Sequence, residues 1–361
     1  MKLRVKTTWR MAVLLALSGL LGGCAQLGYL VQAAHGQSAL LSAARPIDDW
    51  LADPQADPGL KDKLATAKLI RAFAVRELAL PDNASYTTYA ALRRPFVLWN
   101  VVATPALSLK PKQWCFPVAG CVSYRGYYEL AQARAEALAL RTEGYDVQVA
   151  GVPAYSTLGW FKDPVISTFI HYPDAELARL IFHELAHQVA YAPGDSEFNE
   201  SFATTVEQAG LQRWLDVHGD AKMRQSYAVY AARKQGFLGL LLHCRQALEA
   251  NYAAATPEAE KLRRKAEIFQ ALQQDYQALK QSWGGYTGYD RWFAEPLSNA
   301  HLAALATYHD LVPAFQALLR QDQGFERFYA DVKALANLER QQRRRRLLEF
   351  AGTQTLRDLA L

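Results

Sequence analysis

Between residues 182 and 210 the chain reads FHELAHQVAYAPGDSEFNESFATTVEQAG, with His183, Glu184 and His187 in HExxH spacing and Glu200 and Glu207 following. On a helix, residues four apart lie one above the other, so the two imidazoles project from one face. Two such rings can share a zinc ion at about 2.0–2.1 Å, and a glutamate beside the first can serve as general base toward water. The helix is predicted to open at Pro173, with Asp174 and Glu176 at its positive end, and to stop at Pro193-Gly194. Leu177, Leu180, Ile181, Leu185 and Ala186 give it an apolar surface.

A catalytic zinc needs a third protein ligand. Glu200 and Glu207 both qualify by type. Linear spacing favours Glu207, which lies nineteen residues beyond His187. If Pro193-Gly194 turns the chain back on itself, with Asp195 or Ser196 capping the next helix, His187 instead faces residues near 200. Glu207, two turns on and on the same face, would then orient a ligand histidine from behind.

The first 23 residues belong to a different kind of segment. Lys2, Arg4, Lys6 and Arg10 precede an apolar run from Met11 to Leu21, too short to span a bilayer, as in a bacterial secretory signal. Leu21-Gly22-Gly23-Cys24 resembles the lipobox of bacterial lipoproteins, which makes Cys24 the expected lipidated residue. Ala25 follows where an inner-membrane retention signal would have aspartate, so the expected place is the cell envelope, facing the periplasm from the outer membrane. Without residues 1–23 the net charge falls from +5 to +1. A near-neutral body excludes a nucleic-acid partner, which would demand a sustained basic surface. The run Arg343 to Arg346 points all round a helix and is expected to be solvated, with contact to anionic lipid as the alternative.

The segment NESFATTVE resembles the NEGFAxxxE segment of gluzincin-type zinc aminopeptidases, matching at Asn199, Glu200, Phe202, Ala203 and Glu207, with Ser201 in place of a glycine. That likeness implies Glu200 as third ligand, with Asn199 and Glu207 supporting from behind. More widely, the lipobox, CFPVAGCVSYRGYY, AYSTLGWFKDP, HELAHQ, FNESFA and ATYHDLVPAF occur in the order seen in a family of bacterial lipoprotein predicted aminopeptidases. The resemblance covers most of the chain after residue 23. It implies a gluzincin-like zinc peptidase that hydrolyses N-terminal peptide bonds, with Glu184 as general base. An endopeptidase acting on envelope proteins and a non-catalytic, zinc-stabilised binding lipoprotein are the alternatives.

In similar enzymes a tyrosine or histidine of the helical part steadies the oxyanion. Tyr286, Tyr289, Tyr308 and His309 are available, and Tyr308 is the first choice. The glycine-methionine-glutamate-asparagine signature that many zinc aminopeptidases use for the free amino group is missing, and Asp163 is the expected substitute. YSTLGWF is predicted to be an edge strand that pairs with an extended peptide, Gly159 permitting close approach.

Around the motif, residues 28–80 read as helices, and from Pro81 the chain becomes aromatic and β-branched, punctuated by Pro and Gly. A helix over 127–143 interrupts these strands, and nearly everything beyond Asp174 is helical. The expected fold class is α+β: a small mixed β-sheet lobe over 81–173, then a larger helical lobe over 174–361 carrying the site. Residues 24–80 form a helical segment after the anchor, and 81–361 form one catalytic unit. With 51% hydrophobic residues, the chain has material for a sizeable core. Export predicts a disulfide between Cys115 and Cys121, while Cys244, in an apolar run, is expected to be buried.

Overall fold

The computed structural model describes residues 27–116, 120–303 and 311–358. Helix α1 covers 27–42 and leads directly into β1 (Ala44–Pro46), α2 (Ile47–Ala52) and α3 (Pro58–Leu78). The start of α3 is set by Asp57, whose carboxylate accepts from Leu60 N, and by Pro58 at the first helical position. Its buried residues, among them Leu64, Ala67, Ile70, Phe73, Ala74 and Leu78, recur at intervals of three and four.

The strands form three small sheets. In the first, β2 (Thr88–Ala90) pairs antiparallel with β1 and parallel with β8 (Val165–Ile166). In the second, β3 (Leu98–Pro105) lies between β6 (Arg125–Tyr127) and β7 (Tyr145–Val152), antiparallel to both. Helix α4 (Leu130–Thr142) covers that sheet, packing Ala133, Ala137 and Leu140 against Trp99, Val101 and Val147. The third is a ribbon of β4 (Trp114–Phe116) and β5 (Gly120–Val122), closed by a disulfide between Cys115 and Cys121.

Helices make up the rest: α5 (Asp174–Ala186), α6 (Ser196–His218), α7 (Ala221–Ala253), α8 (Glu258–Ser282), α9 (Asn299–Ala303), α10 (Val312–Asp322), α11 (Phe325–Ala336) and α12 (Arg340–Asp358). The main core unites α3, the first sheet, α5, α6 and the last helices. Within it Phe202 of α6 meets Phe315, Phe328 and Tyr329. The α7–α8 hairpin has a separate cluster built on Phe237, Leu241, Leu248, Phe269 and Leu272, in which Cys244 is buried and free.

An α+β fold is what the pattern predicted, but its division differs. Residues 24–80 are not an appendage: β1 pairs with β2, and α3 shares one core with α5, because its apolar face is too large to leave in water. The single mixed sheet is replaced by three small ones. YSTLGWF is a turn, not an edge strand: Leu158 and Gly159 adopt φ of +57° and +80°, and Asp163 clamps Thr157 across it. Finally, α5 stops at Ala186 instead of reaching Pro193-Gly194, with His187 as its C-cap.

The arginine run also departs from expectation. Arg343 and Asp195 are each 5% exposed and ion-paired, and Arg343 donates further to Leu335, Ala336 and Leu338 carbonyls. Arg344 pairs with Glu197. The C-terminal helix is thereby fastened to the start of α6. Removing one partner of a buried pair leaves the other charge stranded, so Arg343→Met is expected to cost about 3–5 kcal/mol. Exposed Arg345→Ala should stay within about 0.5 kcal/mol. Urea unfolding of the two variants beside the parent checks both.

Candidate metal centre

Helices α5 and α6 pack against one another, and their shared interface carries the site. The link between them is short. Gly194 turns at φ +76°, Asp195 caps α6 by accepting from Phe198 N, and Asn199 holds Ala192 by both its amide and carbonyl. Asn199 is thus a clamp on the link, and none of its observed hydrogen bonds goes to the site histidines. That clamp sets Glu200 opposite His187.

His183 Nε2 and His187 Nε2 lie 3.2 Å apart, and Glu200 Oε2 is 3.3 Å from the first and 3.8 Å from the second. Among the described residues these three form a group able to hold a metal ion. Glu207 takes the place the helical repeat allows: its Oε2 accepts from His183 Nδ1 at 2.9 Å and from Arg179 Nη1 at 2.8 Å. With the proton held on Nδ1, the Nε2 lone pair of His183 faces His187 and Glu200. Arg179 is in turn held by Glu176 at 2.9 Å, so the carboxylate behind the ligand histidine is itself fixed.

Burial dominates the electrostatics. It pushes the Glu184 carboxyl up to about 7, with the charges of Glu200 and Asp163 adding to it against the pull of His183. Burial holds His187 down to about 4. For His183 it is outweighed by the hydrogen bonds of Glu200 and Glu207, which raise the ring to about 10. Glu207 falls to about 2, where Arg179 and His183 overcome its desolvation. A cation in the triangle would compete with the proton on His183 Nε2.

Other expected residues stand elsewhere. Tyr308 and His309 lie outside the described residues, as does Cys24. Tyr289 stacks on Phe237 and Tyr286 lies under Arg233, so both belong to the α7–α8 cluster. Asp163 is not free for a substrate ammonium: it is 3% exposed and accepts from Thr157 N, Thr157 Oγ1 and Gln188 Nε2. Gly159 sits on the turn, where a Cβ would come 3.7 Å from Gln188 Oε1.

Two tyrosines near the site escape sequence reasoning. Tyr86 is fully buried at φ +61°, and its phenol, displaced upward by burial, also feels the negative charge of Glu184. Tyr124 follows the disulfide ribbon, which approaches the α5–α6 link at Gly194. Its side chain remains 45% exposed, yet desolvation of the oxygen and then the charge of Glu200 push its phenol well above the ordinary value. CVSYRGYY carried this residue in plain view, but no local spacing ties it to a motif sixty residues away.

A family model described as "Putative aminopeptidase" matches residues 28–347. The chain belongs to this family. No match was found among curated proteins or among solved structures. Membership in an aminopeptidase family supports a peptidase function, and the metal-capable triangle is where such chemistry would sit. Glu207→Gln is expected to weaken divalent-metal affinity about 10–100-fold, since it loosens His183 without removing a ligand. Titration against a chromophoric chelator measures it.

Proposed function

We propose that this protein is a zinc-dependent aminopeptidase that hydrolyses N-terminal peptide bonds. The observation that carries the reading is the His183, His187 and Glu200 triangle with Glu184 beside it. Zinc held tetrahedrally at about 2.0–2.1 Å sets its ligand atoms about 3.3–3.4 Å apart. The separations of 3.2, 3.3 and 3.8 Å fit that spacing, with the His187 to Glu200 side slightly open. Two imidazoles and one carboxylate are also the donor set of catalytic zinc, which leaves a fourth position free.

When bound, zinc polarises the scissile carbonyl and increases the acidity of water at its open position. Glu184 takes the proton of the attacking water and delivers it to the leaving amine. Its carboxyl, raised to about 7, is suited to both transfers near neutral pH. Tyr124, held in its neutral form, donates a hydrogen bond to the developing oxyanion. Tyr86 lines the buried side of Glu184 and keeps water from that flank.

An endopeptidase is the second reading, favoured by one observation: Asp163, the expected anchor for a free amino group, is buried and already engaged. Paired peptides with free and acetylated N-termini separate the two. The aminopeptidase reading expects cleavage of the free peptide and loss of turnover on acetylation; equal cleavage of both would make it an endopeptidase. Glu184→Gln should lower kcat about 10²–10⁴-fold while zinc content, read by atomic absorption, stays at the parental level. No turnover of any peptide by the zinc-loaded protein would overturn both readings.

Tyr124→Phe removes a single donor. A fall in kcat of about 10²–10³-fold with little change in KM is expected for an oxyanion contact. A change confined to KM would place Tyr124 among groups that bind substrate and transition state alike.

A further inference from the structure

Helix α1 contains no Asp, Glu, Lys or Arg in its sixteen residues. One side of it is committed to the body of the protein. Gly36 lies so close to Tyr128 that a Cβ there would meet the ring at 2.1 Å, Gln32 donates to Gly126 O, and Leu40 is buried. The opposite flank carries Leu27, Leu30, Val31, Ala34, Ser38 and Leu41 at helical spacing. Leu27, Leu30 and Val31 are 62%, 47% and 60% exposed. An uncharged helix showing such a stripe to water is not an ordinary solvated face.

The stripe runs into a groove of about 570 Å³ between α1 and the turn after Tyr155, with Ala34, Ser38 and Leu41 on one wall and Phe161 on the other. A second hollow of about 600 Å³ continues from Leu41 and Phe161 beneath Trp160. Trp160 is 79% and Phe161 49% exposed, and exposed Lys162 follows. The turn that presents them is not slack. Thr157 and Asp163 hold its base, and Gln188 ties Asp163 to Ser85 and Asn83.

We propose that this face, the outer flank of α1 together with Trp160 and Phe161, lies against a phospholipid bilayer. The argument rests on the reading of Cys24 as a lipidated residue, which would put an acyl anchor three residues before the stripe begins. A helix tethered so closely to a bilayer and lacking charge gains by laying its apolar flank in the interface. A tryptophan followed by a lysine is the side-chain pair favoured at the headgroup level. No helix among the described residues is long and apolar enough to cross a membrane, which agrees with a helix lying in the plane. A peptide substrate suits the groove less well, because the stripe leads along α1 toward residue 27, while Gln188, bonded to Asn83, Ser85 and Asp163, intervenes between the groove and His187.

The test uses the full chain expressed with its leader, purified in detergent and reconstituted into phosphatidylethanolamine and phosphatidylglycerol vesicles containing brominated lipids. Subtracting the emission of Trp160→Phe from that of the parent isolates Trp160. Its difference emission should be quenched about twofold or more by bromines placed shallowly, at a depth of about 5–10 Å, and less by bromines near the bilayer centre. Leu30→Glu should weaken this quenching. Mass spectrometry of the N-terminal peptide independently reports whether Cys24 carries lipid. An acylated protein whose Trp160 is unaffected by either lipid would overturn the membrane face while leaving the anchor intact. A chain without lipid on Cys24 but with Trp160 quenched would retire the anchor and support the face. Trp160 shielded instead by a second copy, seen as a dimer in sedimentation, or by a bound peptide, seen as protection from aqueous iodide on substrate addition, would also overturn it.

Discussion

Everything at the candidate centre depends on burying charge between α5 and α6. His183, Glu184, His187, Glu200 and Glu207 crowd one helix interface, and three carboxylates there would repel each other in a medium that screens poorly. Arg179 is the group that makes this tolerable. It neutralises Glu207, is anchored by Glu176, and so leaves Glu207 free to hold one proton of His183. Without a fixed cation behind the site, Glu207 would be as reluctant to ionise as Glu184, and His183 would lose its orientation. The difference between the two glutamates, one held near 2 and the other raised to about 7, follows from which of them has an arginine.

That arrangement in turn constrains the link between the helices. Glu200 can meet both histidines only if α6 starts at one level relative to His187. Asn199 fixes the link at Ala192, and Asp195 caps α6 while paired to buried Arg343. A helix nearly 150 residues further along the chain therefore helps set the register of the donor triangle. The disulfide ribbon approaches the same link from the other side at Gly194 and delivers Tyr124.

The sequence made some of this legible and hid the rest for a physical reason. HExxH and the NESFATTVE segment lie on consecutive helices, so their mutual placement follows from helical repeat and a short turn, and both the triangle and the role of Glu207 were readable. Asp163, Gly159 and the arginine run were misjudged because their surroundings come from distant segments. YSTLGWF has the composition of a strand, yet one carboxylate six residues on folds it into a turn. Arg343 looks like its three neighbours in sequence, and only the packing of α12 on the start of α6 singles it out. Tyr86 and Tyr124 had no local signature at all. Likewise the three small sheets could not be told from one, since strand pairing is a long-range choice.

The left-handed backbone of Tyr86 has a bearing on how the site is held. A non-glycine residue at φ +61° costs about 1–3 kcal/mol and persists only where its surroundings over-determine it. Those surroundings are identifiable: Tyr86 N donates to Asp163 O, Ser85 accepts from Gln188, and Arg71 donates to Ser85 O. The same few residues hold the Trp160 turn and brace the segment just after His187. Asp163, which sequence reasoning assigned to substrate, thus acts as a joint between the exposed aromatic turn and the wall of the Glu184 pocket. A disturbance at the outer turn would reach the buried face of Glu184 through this joint, and the strain stored at Tyr86 makes that wall more sensitive than a relaxed one would be.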